Sequence, residues 1–223
     1  NSFKNIPIIK SDQLMPVVVF SHGITGTRHL HQALYEFLVS RGFIVIAPDH
    51  SFDANLTIFP DGHLADYRSN ITGHTDSVNV RTMQMNTRVA DISFILDQLV
   101  KIQSGKIDAQ INAKIDLERI AVGGHSYGGS TATVVSQRDD RIKACFVLDS
   151  WISPIPQETI DDGIHIPFLF MGRPTWEGSD YPGNYPRLDN LMAHSSNPKY
   201  RLIIKGTKHL DYSDIPLFSP IIG

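Results

Sequence analysis

The chain has 223 residues, of which 41% are hydrophobic and 19% are charged, and this composition is typical of a globular protein rather than a disordered one. A formal net charge of −3 gives no broad electrostatic attraction to nucleic acid, so we expect no nucleic-acid partner. No run of 18 apolar residues occurs. The single cysteine, Cys145, excludes an internal disulfide and argues against a cysteine-rich zinc site.

The first half of the chain alternates strand and helix patterns. Residues 16–20 are a short apolar run rich in valine, which predicts a buried strand, and the spacing of leucines over 27–40 predicts a helix. Residues 43–47 predict a second buried strand. Residues 49–79 lose all periodicity, which is typical of a functional or mobile segment. Apolar residues at helical spacing then predict a helix over 85–103.

The second half of the chain continues this alternation. Further strands are predicted over residues 119–122, 142–148, 166–171 and 200–205. Helices are predicted up to Gln137 and over 188–193, and the irregular stretch 172–186 contains Trp176, Tyr181 and Tyr185. Buried strands that alternate with helices predict an α/β fold, with a mainly parallel sheet and helices on both faces. No repeat or linker is visible, so residues 1–223 are predicted to form a single domain.

The sequence GGHSYGGS, residues 123–130, directly follows one of the predicted strands. Gly124 and Gly128 flank Ser126 at the G-x-S-x-G spacing, which permits a sharp turn from strand to helix and a strained serine. The backbone N–H groups after the serine lie at a helix N-terminus, where partial positive charge collects. Because strand and helix are both predicted here, we interpret Ser126 as a nucleophile rather than as a helix cap.

A serine hydroxyl needs a base to act as a nucleophile, and the base needs an orienting carboxylate. Three histidines follow Ser126 in the chain. His209 follows the last predicted strand, so its loop can reach back over the turn that carries the serine. His165 instead precedes a strand, and His194 ends a short helix and is expected at the surface. We therefore predict His209 as the base.

The orienting carboxylate has three candidates. Asp149 directly ends the strand predicted over 142–148, whereas Glu177 and Asp180 lie in the loop after the next strand. A carboxylate next to a strand is better fixed than one several residues into a loop, which favours Asp149. On this argument alone the two loop carboxylates stay open as alternatives.

Stabilising the oxyanion that develops during acyl transfer requires two backbone N–H donors. One is expected from Tyr127, the residue after the nucleophile, and the other from the loop after the first strand. Gly23 and Gly26 allow that loop to turn inward, and Ile24 is its expected donor. This chemistry needs no metal and no cofactor, so neither is predicted.

Two other groups of polar residues are candidate metal ligands. His29 and His31 have the H-x-H spacing, but residues two apart on a helix point to different faces. Five side chains of the irregular stretch match no ligand spacing: His50, Asp53, His63, His74 and Asp76. We expect residues 49–79 to form a solvated loop near the rim of the site.

Four stretches together resemble a known family: VVFSHG at 18–23, IAVGGHSYGG at 120–129, VLDSW at 147–151 and IKGTKH at 204–209. They resemble the α/β-hydrolase fold. More narrowly, they are similar to the platelet-activating factor acetylhydrolase family of the lipoprotein-associated phospholipase A2 type and its bacterial relatives. The leucine-aspartate-x-tryptophan and lysine-glycine-threonine-x-histidine stretches are more specific than the serine motif.

The resemblance implies a role for several residues. It supports Asp149 as the acid and Ile24 as an oxyanion donor, and it places Trp151 near the acyl pocket, with packing in the core as an equal alternative. It also implies that the chain lacks the first strands and the last helix of the full fold. A secreted or periplasmic location and a peripheral contact with a lipid surface are further implications.

The predicted function is that of a serine esterase acting on a small-molecule or lipid ester with a short or oxidised acyl chain. An alternative is a hydrolase of an aliphatic polyester or an amide, with an open surface rimmed by Trp151, Trp176, Tyr181 and Tyr185. A third hypothesis is a non-catalytic binding module on the same fold, because fold alone does not prove chemistry. The oligomeric state is not predicted.

Overall fold

The computed structural model describes residues 7–8, 13–111, 114–176, 183–196 and 198–218. Within these residues eight strands are formed: β1 (Met15–Ser21), β2 (Ile44–Ile46), β3 (Leu56–Ile58), β4 (Leu64–Asp66), β5 (Ile115–His125), β6 (Ile142–Leu148), β7 (Phe168–Gly172) and β8 (Lys199–Ile203). Six of them form one parallel sheet in the order β2-β1-β5-β6-β7-β8, while β3 and β4 pair as an antiparallel hairpin.

Helices connect the strands of the sheet. They are α1 (Gln32–Ser40), α2 (Ser77–Gln103), α3 (Tyr127–Arg138), α4 (Gln157–Asp162), α5 (Asn184–His194) and α6 (Ile215–Phe218), with a 3₁₀ turn over His209–Tyr212. Among the described residues, none of these helices is long and apolar enough to cross a membrane.

Side chains of β1 show how the two faces of the sheet are covered. Val17 and Val19 point to one face and belong to the main core cluster, which includes Met85 and Ile92 of α2. Phe20 points to the other face, where its ring lies 5.6 Å from that of Tyr35 in α1. Because successive residues of a strand point to opposite faces, the apolar run of β1 serves both layers. The predicted α/β architecture is confirmed.

The order of the strands creates a crevice at one edge of the sheet. After β1 the chain crosses to β2 on one side, and it later returns to β5 on the other side of β1. Loops that leave neighbouring parallel strands in opposite directions open a gap at their carboxyl ends, where ligands of α/β sheets bind. The loop after β1 and the serine turn after β5 lie at this position.

Two predictions for residues 49–79 are wrong. The segment contains the β3–β4 hairpin, and α2 begins at Ser77, well before the predicted residue 85. The first turns of α2 carry polar residues with specific partners. Gln84 donates to the Ser69 carbonyl, and the Arg81 carbonyl accepts from Tyr127. A helix prediction based on an apolar stripe therefore could not include these turns.

Smaller differences concern the ends of elements. Helix α1 begins at Gln32 rather than at residue 27, because residues 27–30 form a turn closed by a hydrogen bond from Leu30 N to Thr27 O. Strand β5 is 11 residues long, so it extends well beyond the predicted 119–122. Helix α4 was not predicted, because six residues are too few for an apolar stripe to be recognised.

Burial of His31 makes the stability of this fold depend on pH. The His31 side chain is 2% exposed and packs against Phe20 and Tyr35. Burial lowers the pKa of His31 from 6.5 to about 4, against the opposing effect of a backbone hydrogen bond at Tyr212. Between these values the unfolded chain binds a proton that the folded chain does not. The contribution of this residue is therefore intact above pH 6.5 and is lost as the pH falls.

We expect the free energy of unfolding to fall between pH 7 and pH 4, with His31 contributing about 3 kcal/mol of the loss. Phenylalanine fits the aromatic surroundings and does not titrate, so His31→Phe should show a smaller decrease over the same range. Urea titrations of both proteins at several pH values measure this difference. Equal pH dependence in the two proteins would show that His31 is not responsible.

Candidate active site

The turn between β5 and α3 holds Ser126 in an unusual backbone conformation. Its φ is 57° and its ψ is −121°, a region that residues with a side chain rarely adopt. A β-carbon on Gly124 would lie 2.2 Å from the carbonyl oxygen of Gly128, so only glycine fits there. Hydrogen bonds fix the serine backbone from both sides, from Ser126 N to Leu148 O and from Trp151 N to Ser126 O. The serine side chain is thus presented at the crevice.

Ser126, Asp149 and His209 come together at this edge of the sheet. His209 Nε2 lies 2.9 Å from Ser126 Oγ, and His209 Nδ1 lies 2.6 Å from Asp149 Oδ2. Because an ionised carboxylate only accepts hydrogen bonds, the His209 proton sits on Nδ1 and the lone pair of Nε2 faces the hydroxyl. The arrangement can accept the proton of the serine as its oxygen attacks an electrophile.

Asp149 is completely buried and is held by several donors. Its backbone has a φ of 38°, and its N–H donates to Met171 O at 2.6 Å. Asp149 Oδ1 accepts from the backbone N–H of Arg173 at 3.1 Å, and the Arg173 Nε lies 3.0 Å from Oδ2. The guanidinium thus lies directly beside the carboxylate. Asp149 is therefore fixed in position as an acceptor for His209.

The other candidates for base and acid lie elsewhere. His165 is exposed beside Ser196, and His194 is exposed at the end of α5, with its ring 3.1 Å from the Ile160 carbonyl. Neither histidine contacts the serine turn. Glu177 and Asp180 lie outside the described residues. Tyr181, predicted at the aromatic rim, also lies outside them.

Three residues surround His209: His125 and Arg173 were missed by the sequence analysis, and Trp176 was predicted at the aromatic rim. His125 is buried under its ring at a centroid distance of 4.6 Å, and its Nε2 lies 3.0 Å from the His209 carbonyl. Trp176 meets the same ring edge-on at 5.4 Å, and Arg173 stacks on Trp176 at 4.1 Å. Arg173 directly follows β7, at the sheet edge that also carries Asp149, and this placement was the signal that could have revealed it.

The loop after β1 packs directly against the serine turn. A β-carbon on Gly128 would lie 2.0 Å from Ser21 O, and one on Gly23 would lie 3.3 Å from the β-carbon of Ser126. Ile24, the predicted donor of this loop, therefore follows a residue that borders the serine. Tyr127, the other predicted donor, is the first residue of α3 and is buried. Each predicted oxyanion residue thus directly follows a residue at the contact between the loop and the serine turn.

Trp151 lies next to the turn but is largely covered. Its ring is 5.7 Å from that of Tyr127, and its carbonyl accepts a hydrogen bond from Ser130 Oγ. The side chain is 7% exposed, and it belongs to the main core cluster. Core packing, one of the two roles considered for Trp151, is therefore observed, and its backbone also supports Ser126.

The expectation of a solvated loop near the rim is wrong for His50 and Asp53, because both are buried beneath the loop after β1. The His50 ring contacts Ser21 Oγ at 2.9 Å and Asp91 at 2.8 Å, and Asp53 pairs with Arg88. Burial lowers the pKa of His50 well below 6.5, so its ring is neutral. In the part of the chain that the structure describes, no three His, Cys, Asp or Glu side chains are grouped to hold a metal.

Sheet order, the strand-turn-helix serine and the histidine after the last strand define an α/β-hydrolase. A solved structure agrees with this class. A ferulic acid esterase from Streptomyces cinnamoneus superposes with a TM-score of 0.76 at 27% identity, covering 94% of this chain and 56% of that one.

The chain belongs to the family described as platelet-activating factor acetylhydrolase, isoform II, whose model matches residues 2–223. It is 26% identical over 248 residues to the platelet-activating factor acetylhydrolase of Gallus gallus, covering 99% of this chain and 58% of the chicken protein. It is 31% identical over 135 residues to Cutinase 2 of Thermobifida cellulosilytica, covering 60% and 39% respectively. The chain thus spans little more than half the length of the acetylhydrolase relative.

The contact between Gly128 and the loop after β1 can be tested by substitution. An alanine methyl at this position would overlap the Ser21 carbonyl, and backbone atoms cannot move aside as a flexible side chain can. Gly128→Ala should therefore lower the free energy of unfolding by about 2 kcal/mol or more. Gly183→Ala is the control, because no atom of the described residues lies within 4 Å of its β-carbon, and it should cost less than about 1 kcal/mol. Urea unfolding of both variants measures the difference, and similar costs would refute the steric argument.

Proposed function

We propose that this chain is a serine hydrolase of carboxylic esters, with Ser126 as nucleophile, His209 as base and Asp149 as orienting acid. The observation that carries the proposal is the relay of close contacts in which His209 lies 2.9 Å from the serine oxygen and 2.6 Å from a buried carboxylate. Membership of the acetylhydrolase family supports the choice of an ester as substrate.

In the first half of the reaction, Ser126 Oγ attacks the ester carbonyl carbon while its proton passes to His209 Nε2. Asp149 stabilises the imidazolium and keeps its Nδ1–H directed at the carboxylate. The carbonyl oxygen becomes an oxyanion that accepts hydrogen bonds from the backbone N–H groups of Ile24 and Tyr127, each worth about 3 kcal/mol of barrier. The tetrahedral intermediate collapses, the ester C–O bond breaks, and His209 protonates the departing alcohol.

In the second half, water releases the acyl group. His209 takes a proton from the water as its oxygen attacks the acyl-enzyme carbonyl, and the same oxyanion donors act again. Collapse returns the proton from His209 to Ser126 and frees the carboxylic acid. Every proton transfer in this cycle uses residues of the chain.

The proposed substrate is an ester with a short or oxidised acyl chain, on a small molecule or a lipid. Names of the relatives support this class, since the chicken protein is a platelet-activating factor acetylhydrolase. The large side chains around the serine also support it. Trp151 packs beside the serine turn and Trp176 lies against His209, and such bulk limits the space for a long acyl chain.

A polyester or amide hydrolase is a second candidate, which the likeness to Cutinase 2 favours.

Contact with a lipid or polymer surface is supported by the β3–β4 hairpin. Leu56, Ile58 and Leu64 lie exposed on one face of it, while Thr57 and Ala65 are buried on the other. Exposed apolar side chains that share a face are typical of contact with an apolar surface.

Replacement of the nucleophile tests the proposed chemistry and the non-catalytic alternative together. Ser126→Ala should reduce the hydrolysis of p-nitrophenyl acetate by at least about a thousandfold and abolish labelling by a fluorophosphonate probe. Ser136→Ala, in the same helix, removes a buried hydroxyl that bonds Thr133 O and should keep full activity. Turnover by Ser126→Ala at the wild-type rate would reject the mechanism. An unlabelled wild-type protein without turnover would identify a binding module.

The two substrate classes are separated by a series of p-nitrophenyl esters beside a polyester film. We expect kcat/KM to fall by at least about tenfold between acetyl and octanoyl esters. The bulky side chains near the serine leave little room for a long acyl chain, so the transition state of the octanoyl ester is bound more weakly. Release of soluble products from the film should stay at the background of the Ser126→Ala variant. Rates that hold or rise with chain length, together with release from the film, would favour the cutinase-like alternative.

A further inference from the structure

Arg88 lies in the middle of α2 and is almost entirely buried, with a side chain that is 1% exposed. It contacts none of the three residues of the proposed relay. An arginine at this depth needs partners for its charge and for its five N–H groups. The hydrogen-bond partners of the Arg88 side chain indicate its role.

The guanidinium of Arg88 binds the loop after β1 through the backbone of that loop. One terminal nitrogen donates to the His22 carbonyl at 2.6 Å, and the other lies 3.4 Å from the Gly23 carbonyl. The Nε–H donates to the carboxylate of Asp53, which neutralises the buried charge. The planar fork of arginine can reach these separate acceptors at the same time, which a lysine ammonium on a single stem cannot.

Three donors surround the Gly23 carbonyl oxygen. Besides Arg88, they are His22 Nδ1 at 2.6 Å and the Gly26 N–H at 3.1 Å. The His22 donor is kept in place because the other ring nitrogen, Nε2, accepts from the backbone N–H of His50 at 3.1 Å. The direction of this carbonyl is therefore strongly fixed.

Fixing the Gly23 carbonyl also fixes the Ile24 N–H. Both groups belong to one planar trans peptide, in which the C=O and N–H bonds point in opposite directions. Since Arg88 and its fellow donors hold the carbonyl toward the protein interior, the N–H points away from them. Gly23 itself borders Ser126, which places this peptide beside the crevice.

Asp53 supports the same loop in a second way. Its backbone carbonyl accepts from the N–H of Thr25 at 3.3 Å, while its side chain holds Arg88. Thr25 has a positive φ of 55°, which costs free energy and persists only where the surroundings enforce it. One acidic residue thus links the guanidinium to the strained turn that follows Ile24.

We infer that Arg88, paired with Asp53, is a positioning residue for the oxyanion hole: it orients the peptide between Gly23 and Ile24 so that the Ile24 N–H faces the reacting carbonyl. The inference rests on the proposed esterase function. It assigns to a buried ion pair of helix α2 a part in lowering the barrier, since an oxyanion donor acts fully only when it is held at the right place in advance.

Arg88→Lys is the first variant to measure, because it keeps the charge beside Asp53 but cannot hold both carbonyls. With p-nitrophenyl acetate, we expect kcat to fall at least about tenfold while KM changes less than about threefold, since the lost interaction forms only in the transition state. An Asp53→Asn/Arg88→Gln double variant removes both charges without leaving either one unpaired, and it should show the same pattern.

A second measurement reports on the oxyanion hole directly. In a thionoester, sulfur replaces the carbonyl oxygen and is a larger and weaker hydrogen-bond acceptor, so an intact hole prefers the oxygen ester. The ratio of kcat/KM for the oxygen ester to that for the matching thionoester should fall at least about fivefold in Arg88→Lys. Loss of folded protein would lower both rates equally and leave the ratio unchanged.

Ile92→Ala is the matched control, because Ile92 lies one helical turn after Arg88, is fully buried and belongs to the apolar core cluster. It should destabilise the protein yet keep both kcat and the oxygen-to-sulfur ratio within about twofold of wild type. A folded Arg88→Lys variant with wild-type kcat, or one whose ratio is unchanged, would overturn the inference. Turnover retained by Ser126→Ala would instead reject the proposed function itself.

Discussion

The close approach of two backbones is the constraint on which the site depends. The start of α3 lies against the end of β1 so tightly that even a methyl group at Gly128 has no room beside the Ser21 carbonyl. This contact puts the loop after β1 next to the strained Ser126. A larger separation would leave the serine exposed at a helix N-terminus, with no second loop facing it. Glycine at residue 128 therefore allows the loop after β1 to lie close enough to the serine turn for the proposed chemistry.

Beneath this contact lies a layer of buried polar residues. Burial lowers the pKa of His22, His50 and His125 well below 6.5, so all three rings are neutral. A neutral imidazole has one donor and one acceptor, and the His22 and His50 rings use both of them, while His125 Nε2 lies 3.0 Å from the His209 carbonyl. A hydrogen-bonded layer of this kind holds the loops above it in one arrangement, whereas an apolar layer would not select a direction for a peptide group.

Much of the site could be predicted because its residues follow strands. Ser126, Asp149 and His209 come after β5, β6 and β8, and the carboxyl ends of parallel strands meet at one edge. The residues that could not be predicted act through tertiary contacts. Arg173 meets Asp149 only because β7 lies beside β6, and Trp176 reaches His209 across the crevice.

Helix α2 could likewise be predicted only in part, because some of its residues depend on tertiary contacts. Its apolar stripe predicted the second half, yet its polar first turns are stabilised by partners distant in sequence, such as Ser69 and Tyr127. Arg88 occupies a position between Met85 and Ile92 on the buried stripe, where an apolar residue is expected. That exception in the pattern was visible in the sequence, but its meaning depends on carbonyl groups more than 60 residues away.

The sequence by itself determined the parallel sheet, the serine turn and the order in which Ser126, Asp149 and His209 follow strands, because strand runs and glycine spacing are local properties of the chain. Only the tertiary structure decided which side chains surround His209 and what holds the loop after β1. Those contacts depend on the order of strands in the sheet and on the depth at which polar side chains are buried. Neither quantity is encoded in the spacing of residues along one segment.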